Sequence, residues 1–375
     1  MKVKFIKKYK LCIYMKICSV SIVKDEEHVI ERMLKCISKY VEEFIIVDTG
    51  SSDKTKEICK DFFDKNKIKG KVFERPWKNF GHNKTEALQI AREYSSCDYL
   101  LLIDADNYVV GDLKIPKILE KDGYRLKHQM TGSNYFWRTQ LFKKDRAWRY
   151  VGVLHEAPVL DDLRSIGHIE GDYMFVETHE GARNKDVVKK YEKDVEVLKK
   201  GLEEEPGNAR YMYYLGQSYL CLHKYEEAAY WYLKCAQNSK WGQEVYHSTY
   251  MAGRCYMNAR KYSEAEKYLY KAWTIRPHRL ESACKLMEYY LENKRYEDGY
   301  HLGKLFKRIE ASDEILFEEK DVYEWKIFDL MSLFCYYTGR VEEARFYYER
   351  MTNIPKNQLE RINSNKKFLY EDVSQ

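Results

Sequence analysis

The chain is 375 residues long, 45% hydrophobic and 33% charged, the profile of a folded globular protein of about two domains. Its 65 basic and 59 acidic residues leave a net charge of +6, too even a balance to imply nucleic-acid binding by charge. No apolar run reaches the ~18 residues that span a bilayer, and segment 11–23, interrupted by Lys16 and Ser19, leads to no small-residue cleavage site, so neither a membrane span nor a signal peptide is expected.

Residues 1–14 read as a basic extension (Lys2, Lys4, Lys7, Lys8, Lys10) outside the fold, which begins at Met15. From there short apolar runs alternate with helical patterns. Residues 16–23 read as a strand and 26–40 as a helix with Val29, Ile30, Met33, Leu34 and Ile37 on one face. A second strand, 43–48, ends in the turn "TGSSD", and a helix follows over 53–65 with Ser52 or Asp53 as N-cap. A strand over 71–76, a helix over 83–95 and a strand over 98–106 complete the series. Strands that are apolar on both faces and alternate with helices imply an α/β domain with a mostly parallel sheet. The ten cysteines form no C-x-x-C pair and sit singly in apolar stretches, as at Cys97, Cys235 and Cys255. That usage reads as free thiols in a reducing, cytoplasmic setting without a zinc site.

From about residue 184 the strand signal disappears. Residues 214–236 and 251–277 carry the same scheme, with Gly216, Tyr219, Ala228 and Tyr232 in one copy and Gly253, Tyr256, Ala265 and Leu269 in the next. Weaker copies follow at 285–306 and 330–351. This pattern resembles the tetratricopeptide repeat, a helix–turn–helix unit of about 34 residues. The small residues let paired helices approach, the large ones fill the space between pairs, and the 34 tyrosines serve chiefly as packing residues. The domain boundaries expected are 1–14, 15–183 and 184–375.

Polar clusters stand at the C-terminal ends of the predicted strands, where open α/β sheets bind ligands: 21–27, 47–55 and 101–108. Asp104 and Asp106 are two apart, so on an extended strand both side chains would share a face. Neighbouring carboxylates repel unless a cation lies between them, and a hard ion such as Mn²⁺ or Mg²⁺ suits such oxygens and shares them with phosphates.

These blocks, "SIVKDEEHVIERMLKCI", "EFIIVDTGSSDKTKEI", "RPWKNFGHNKTEAL" and "YLLLIDAD", resemble family 2 glycosyltransferases of the GT-A fold, and "WRYVGVLHEAPV" and 177–219 resemble the subgroup with C-terminal tetratricopeptide repeats. The resemblance implies a GT-A, Rossmann-like domain joined to an all-α repeat solenoid. It implies an inverting, metal-dependent glycosyltransferase using a nucleotide-sugar donor. By this resemblance Asp48, Thr49 and Asp53 lie at the nucleotide, and Asn83 and Lys84 face the diphosphate. Asp104 approaches the ribose or the metal, and Asp106 binds the metal, Mn²⁺ or Mg²⁺. Thr49 stands where many members carry a second acid, which leaves uridine and guanosine both open. Lys84 offers a point charge rather than a bidentate fork. An inverting transfer needs a carboxylate to take the acceptor's proton. Glu156 is the first candidate, with His155 beside it for the metal or a phosphate oxygen and His179 as an alternative ligand. The repeats would hold a glycan, peptide or protein acceptor or a partner. The competing reading is an inactive repeat-based scaffold, against which stand the acids at Asp48, Asp104, Asp106 and Glu156. A nucleotidyltransferase would require a Gly- and Lys-rich N-terminal loop that the chain lacks.

Overall fold

A computed structural model describes residues 15–129, 135–178, 180–181, 183, 186–312, 314 and 316–370. The N-terminal extension, His179, Asn184 and the final "EDVSQ" lie outside the described residues. The chain divides into two compact units, 1–190 and 191–375.

The first unit opens with alternating β1 (Ile17–Val23), α1 (Ile30–Ile37), β2 (Glu43–Asp48), α2 (Thr55–Asn66), β3 (Lys69–Glu74), α3 (Phe80–Tyr94) and β4 (Tyr99–Leu102). The pleat sends alternate side chains to opposite faces. Ile17, Phe44, Ile46, Tyr99 and Leu101 pack with Met33, Leu34 and Ile37 of α1 and Phe62 and Phe63 of α2. Cys18, Val20, Ile45, Val47, Leu100 and Leu102 pack with Ala87, Leu88 and Ala91 of α3. Both faces are covered, which is why these strands read as unbroken apolar runs. β1 pairs in parallel with β2 and with β4, and β2 with β3. Their C-terminal ends therefore share one edge, where Asp48 lies opposite Val23 and Glu74.

The remainder of the unit is β5 (Asn107–Gly111), β6 (Gly123–Gln129), β7 (Tyr135–Lys143), β8 (Arg149–Val151), β9 (Ala157–Val159), β10 (Ile166–His168) and β11 (Tyr173–Glu177). The sheet order is β3-β2-β1-β4-β7-β6-β11-β5, with β10 also on β6. β7 runs antiparallel to β4 and β6, so the parallel sheet expected from the sequence becomes mixed in this half. β8 and β9 form a separate hairpin. One expectation is corrected: β4 stops at Leu102, residues 105–106 turn, and the Asn107 N–H donates to the Asp104 carbonyl at 3.1 Å. Asp104 and Asp106 therefore do not share the face of an extended strand.

The second unit is helical. α4 (Val187–Glu204) leads into α5 (Ala209–Cys221), α6 (Tyr225–Asn238), α7 (Gly242–Asn258), α8 (Tyr262–Ile275), α9 (Glu281–Glu292) and α10 (Tyr296–Lys304). Beyond a π-helical turn at Val322–Lys326 come α11 (Ile327–Tyr337), α12 (Val341–Tyr348) and α13 (Lys356–Tyr370). The expected repeats are the pairs α5/α6, α7/α8, α9/α10 and α11/α12. A Cβ on Gly216 would stand 2.8 Å from the Tyr232 ring, and one on Gly253 2.8 Å from Leu269, so these glycines set the approach within the first two pairs. Met287 occupies the corresponding position of the third pair, and the small residue moves to Gly303 of its second helix. All four turns close alike. The amides of Lys224, Lys261, Arg295 and Arg340 reach back to the carbonyls of Tyr219, Tyr256, Tyr290 and Cys335 at 2.7–2.9 Å, the six-to-one bond of a Schellman motif. The preceding residue is left-handed each time: His223 (φ 56°), Arg260 (59°), Lys294 (57°) and Gly339 (79°).

A left-handed L-residue costs roughly 1–2 kcal/mol, and glycine avoids it at a smaller entropic cost in the unfolded chain. Arg260 and Lys294 are exposed. Arg260→Gly and Lys294→Gly are therefore each expected to stabilise the chain by about 0.5–1 kcal/mol, raising Tm by a few degrees. Calorimetry showing a lower Tm for both would contradict this account of the turns.

His247, on α7, is buried against the Tyr213 hydroxyl 3.1 Å away. Burial, with the charges of Arg279 and Arg254, pulls its pKa from 6.5 down to about 3. Between those values the unfolded chain binds a proton that the folded chain refuses, so stability falls as pH drops below 6.5. From pH 6.5 to 5 the wild type should lose about 2 kcal/mol more than His247→Gln, measured by urea unfolding at each pH. Equal losses would show that His247 is not held neutral.

Candidate active site

The site is built on the shared strand edge. Asp48, at the end of β2, is fully buried, and its Oδ1 accepts the Gly50 and Ser51 N–H groups, both at 2.9 Å. The adjoining loops are stitched together by charge-assisted bonds: Asp25 accepts from Ser52, Asp53 from the Glu27 amide, and Glu27 from the Lys54 amide. Asp53 also accepts the Thr55 amide at 2.9 Å, a turn that leads into the helix, whose N-cap position is Lys54 and not the expected Ser52 or Asp53. The Thr49 hydroxyl and amide both donate to the Val23 carbonyl. The acids expected at the nucleotide thus shape the loop that would face it, Asp48 most of all.

The hairpin β8–β9 is seated on the first turns of α3. A Cβ on Gly81 would lie 2.3 Å from the Gly152 carbonyl oxygen, so only glycine permits this approach. The Thr85 hydroxyl accepts the Tyr150 amide at 2.8 Å. This contact carries residues 152–156 over the start of α3 and brings Glu156 to Lys84.

Lys84 is the centre of the arrangement. Its Nζ lies 2.8 Å from Glu156 Oε1 and 2.9 Å from Asp104 Oδ1, with 4% of the side chain exposed. Burial alone would discharge it, yet the carboxylates of Asp104 and Glu156 outweigh that and raise its pKa. Burial likewise opposes ionisation of Asp104, but Lys84 and Arg138 hold its carboxyl well below the usual range. Arg138, from β7, is 3.5 Å from Asp104 Oδ2 and 2.9 Å from Glu177 Oε1. Glu177 is 3.0 Å from His128 Nδ1, and His128 Nε2 is 2.6 Å from Gln140. The His128 bond lowers the Glu177 pKa; burial opposes this and Arg138 adds to it. The Lys84 ammonium also stands 5.6 Å from the Tyr150 ring centre, and burial pushes the Tyr150 phenol up to about 12. Lys84 and Asp104 thus stay ionised near neutrality and form one continuous charge chain with Glu156, Arg138 and Glu177.

Asp106 faces elsewhere. Its Oδ2 accepts the Gly181 N–H at 3.4 Å, and its carbonyl accepts from Thr178 and Arg32. A Cβ built on Gly181 would lie 3.2 Å from Glu26 Oε1 and 3.4 Å from Asp106 Oδ2, so these two carboxylates converge on one point. Such a pair of hard oxygens suits a divalent cation. Asp104 suits one less well, because both its oxygens face cations. Among the described residues no three His, Cys, Asp or Glu side chains gather as a metal group, and His179 lies outside them. His155 is exposed at φ 52°, on the turn beside Glu156. Asn83 is buried, with its amide donating to the Pro76 carbonyl and accepting from the Lys78 amide, so its polar atoms hold that loop instead of facing a diphosphate. The structure therefore gathers Lys84, Asp104 and Glu156, separates Asp106 from them, and adds Arg138, Glu177, His128 and Glu26. Arg138 lies in "YFWRTQLFK", where nothing in the pattern marks it, whereas Glu26 stood within a strand-end cluster.

Residues 19–165 match the sequence model described as Glycosyl transferase family 2. The chain is 24% identical over 231 residues to the SPbeta prophage-derived glycosyltransferase SunS of Bacillus subtilis (strain 168) and to glycosyltransferase SunS of Bacillus phage SPbeta, covering 58% of this chain and 53% of each relative. The chain thus spans about half the length of the curated relatives it matches. Among solved structures, S. aureus TarS is similar at 14% identity and a TM-score of 0.35, over 67% of this chain and 54% of that one. Pseudomonas aeruginosa pilF is similar at 16% identity and a TM-score of 0.33, over 46% and 69% respectively. The matched segment runs from β1 to the residue before β10 and contains Asp48, Lys84, Asp104, Arg138 and Glu156. Over residues 19–165, the N-terminal domain is therefore similar to glycosyl transferase family 2.

Proposed function

We propose that the N-terminal domain transfers a glycosyl group from a nucleoside-diphosphate sugar to an acceptor hydroxyl or other nucleophile, with inversion, in a reducing cytoplasmic setting. The observation that supports this best is the Lys84 ammonium shared between Glu156 and Asp104 at the ends of parallel strands. In this reading Glu156 is the general base. The acceptor oxygen forms a bond to the anomeric carbon as the bond from that carbon to the diphosphate breaks. Glu156 takes the acceptor's proton, and the electron pair leaves with the diphosphate. Lys84, 2.8 Å from Glu156, holds its carboxylate in place, and Arg138 and Lys84 supply positive charge near the leaving group. Asp48 and Asp53 order the loops beside the nucleotide. Asp106 and Glu26 would hold a divalent ion, Mn²⁺ or Mg²⁺, whose charge would offset that of the diphosphate. The repeats would hold the acceptor or a partner. The scaffold reading gains no support, since a scaffold needs no buried cation between two acids.

Glu156→Gln keeps the side-chain shape and leaves Asp104 to pair Lys84. It should retain donor affinity by calorimetry while slowing transfer roughly 10²-fold or more. A near-normal rate with a preserved fold would remove Glu156 from the base role.

Asp106→Asn should weaken Mn²⁺ binding, read by calorimetry on the donor-free protein, by about 10-fold or more, with turnover falling in parallel. Full turnover of the wild type in excess chelator would exclude the metal-dependent reading.

A further inference from the structure

Between α10 and the π-helical turn, the described residues 305–312, 314 and 316–319 form no regular helix, and part of this stretch lies across the first helices of successive repeats. The Arg279 guanidinium, fully buried, donates to the Leu316 carbonyl at 3.1 Å and to the Phe317 carbonyl at 3.2 Å. The Leu316 amide donates to Gln243 Oε1 of α7 at 3.1 Å. Main-chain bonds of this kind grip an extended peptide whatever its sequence. Side chains supply the selectivity. Glu314 pairs with Arg276, with His278 at 2.8 Å and with Arg279 at 3.1 Å. The Phe317 ring lies parallel to Tyr213 of α5, centroids 6.3 Å apart, and 4.7 Å from His247 of α7. Tyr250 donates to Glu319 at 2.9 Å. The segment is therefore bound as a ligand would be, by α5, by α7 and by the residues before α9.

Two features show that it is separable from the helices beneath. Phe317 remains 55% exposed and holds a left-handed φ of 47°. Arg279 keeps a forked pairing to Glu281, at 2.8–3.1 Å, that does not involve the segment. Removing the segment would leave that buried cation paired.

We propose that Glu314 and residues 316–319 are a built-in occupant of a peptide site on this face, and that an acidic peptide of another protein with the same chemistry displaces them. The chemistry specified is a carboxylate three positions before an aromatic residue, followed by further acids, as in Glu314, Phe317, Glu318 and Glu319. The cations awaiting it are Arg276, Arg279 and Arg254, and the aromatic ring rests against the contacting pair Tyr213 and His247. This inference does not depend on the catalytic reading.

The test uses the full chain carrying Glu314→Ala with Phe317→Ala and a fluorescein-labelled peptide of residues 310–321, EASDEILFEEKD. Fluorescence anisotropy should show this variant binding the peptide at least about 10-fold tighter than the wild type, whose site is already filled. The peptide with its internal Glu and Phe changed to Lys and Ala should lose at least about 10-fold. Should the double variant lose its cooperative melt, Phe317→Ala alone, at a half-exposed ring, is measured the same way. A folded variant that binds no better than the wild type overturns the proposal. Loss of cooperative melting in both variants also overturns it, because the segment would then be part of the fold.

Discussion

A single buried cation organises the N-terminal half of this protein. Lys84 projects from the second turn of α3, beneath the sheet edge, and two carboxylates from distant parts of the chain converge on it: Asp104 after β4 and Glu156 from the β8–β9 hairpin. A charge buried to this extent would be costly by itself, and either acid would be raised toward neutrality without it. Together they are mutually stabilised. Removing one member of such a set generally costs 3–5 kcal/mol, because the remainder stays buried and uncompensated. The same arrangement thus ties its three elements together. Arg138 extends the chain of charge to Glu177 and His128, so β6, β7 and β11 are joined to the same system.

That convergence depends on a close approach of two backbones. Gly81 and Gly152 meet where no side chain fits, and the hairpin could not otherwise lie against α3. Gly152 adopts φ 115° and His155 φ 52°, so the segment leading into Glu156 is held in conformations that side-chain-bearing residues rarely adopt. Strain of this kind persists only when surrounding contacts fix it. Here they are the Thr85–Tyr150 bond and the Arg92 bond to the Trp148 carbonyl. The fold positions Glu156 through main-chain contacts, and its carboxylate is then fixed by Lys84.

Much of this architecture could be read from the residues. β1, β2 and α1 to α3 were legible because a sheet covered on both faces leaves continuous apolar runs, and the helices between carry the complementary period. The antiparallel half was not: β8, β9 and β10 have three residues each, and β7 mixes exposed and buried positions along YFWRTQLFK. Glu156 and Asp104 could be singled out as acids at the right blocks, but the partner that joins them could not, because a salt bridge across 72 positions leaves no periodic trace. The spacing of Asp104 and Asp106 misled for a local reason. The strand ends two residues before Asp104, so the two-residue alternation no longer governs where the side chains go. Asn83 was misread similarly: its amide is spent on the preceding loop, and only its neighbour Lys84 faces the acids.

The helical half shows why a repeat fold does not by itself define a free binding surface. The sequence announces the helix pairs through Gly216, Gly253, Ala228 and Ala265, since close packing demands small residues at fixed intervals. It does not announce that three of the four turns place His, Arg or Lys in the left-handed conformation usually given to glycine, because the bond that enforces it is between backbone atoms. Nor does it announce Glu314 and residues 316–319, which belong to no repeat and lie against α5, α7 and the residues before α9. A stack of first helices offers a continuous face because each pair adds one helix to it. In this chain Arg279, buried before α9, reaches across that face and grips main-chain carbonyls. A buried guanidinium retains its fixed fork of donors without reorganisation, so what it selects is a pair of adjacent main-chain carbonyls together with the side chains that suit Arg276 and the Tyr213–His247 pair. Any partner of this face must match that geometry and displace a segment whose effective concentration is set by its own chain.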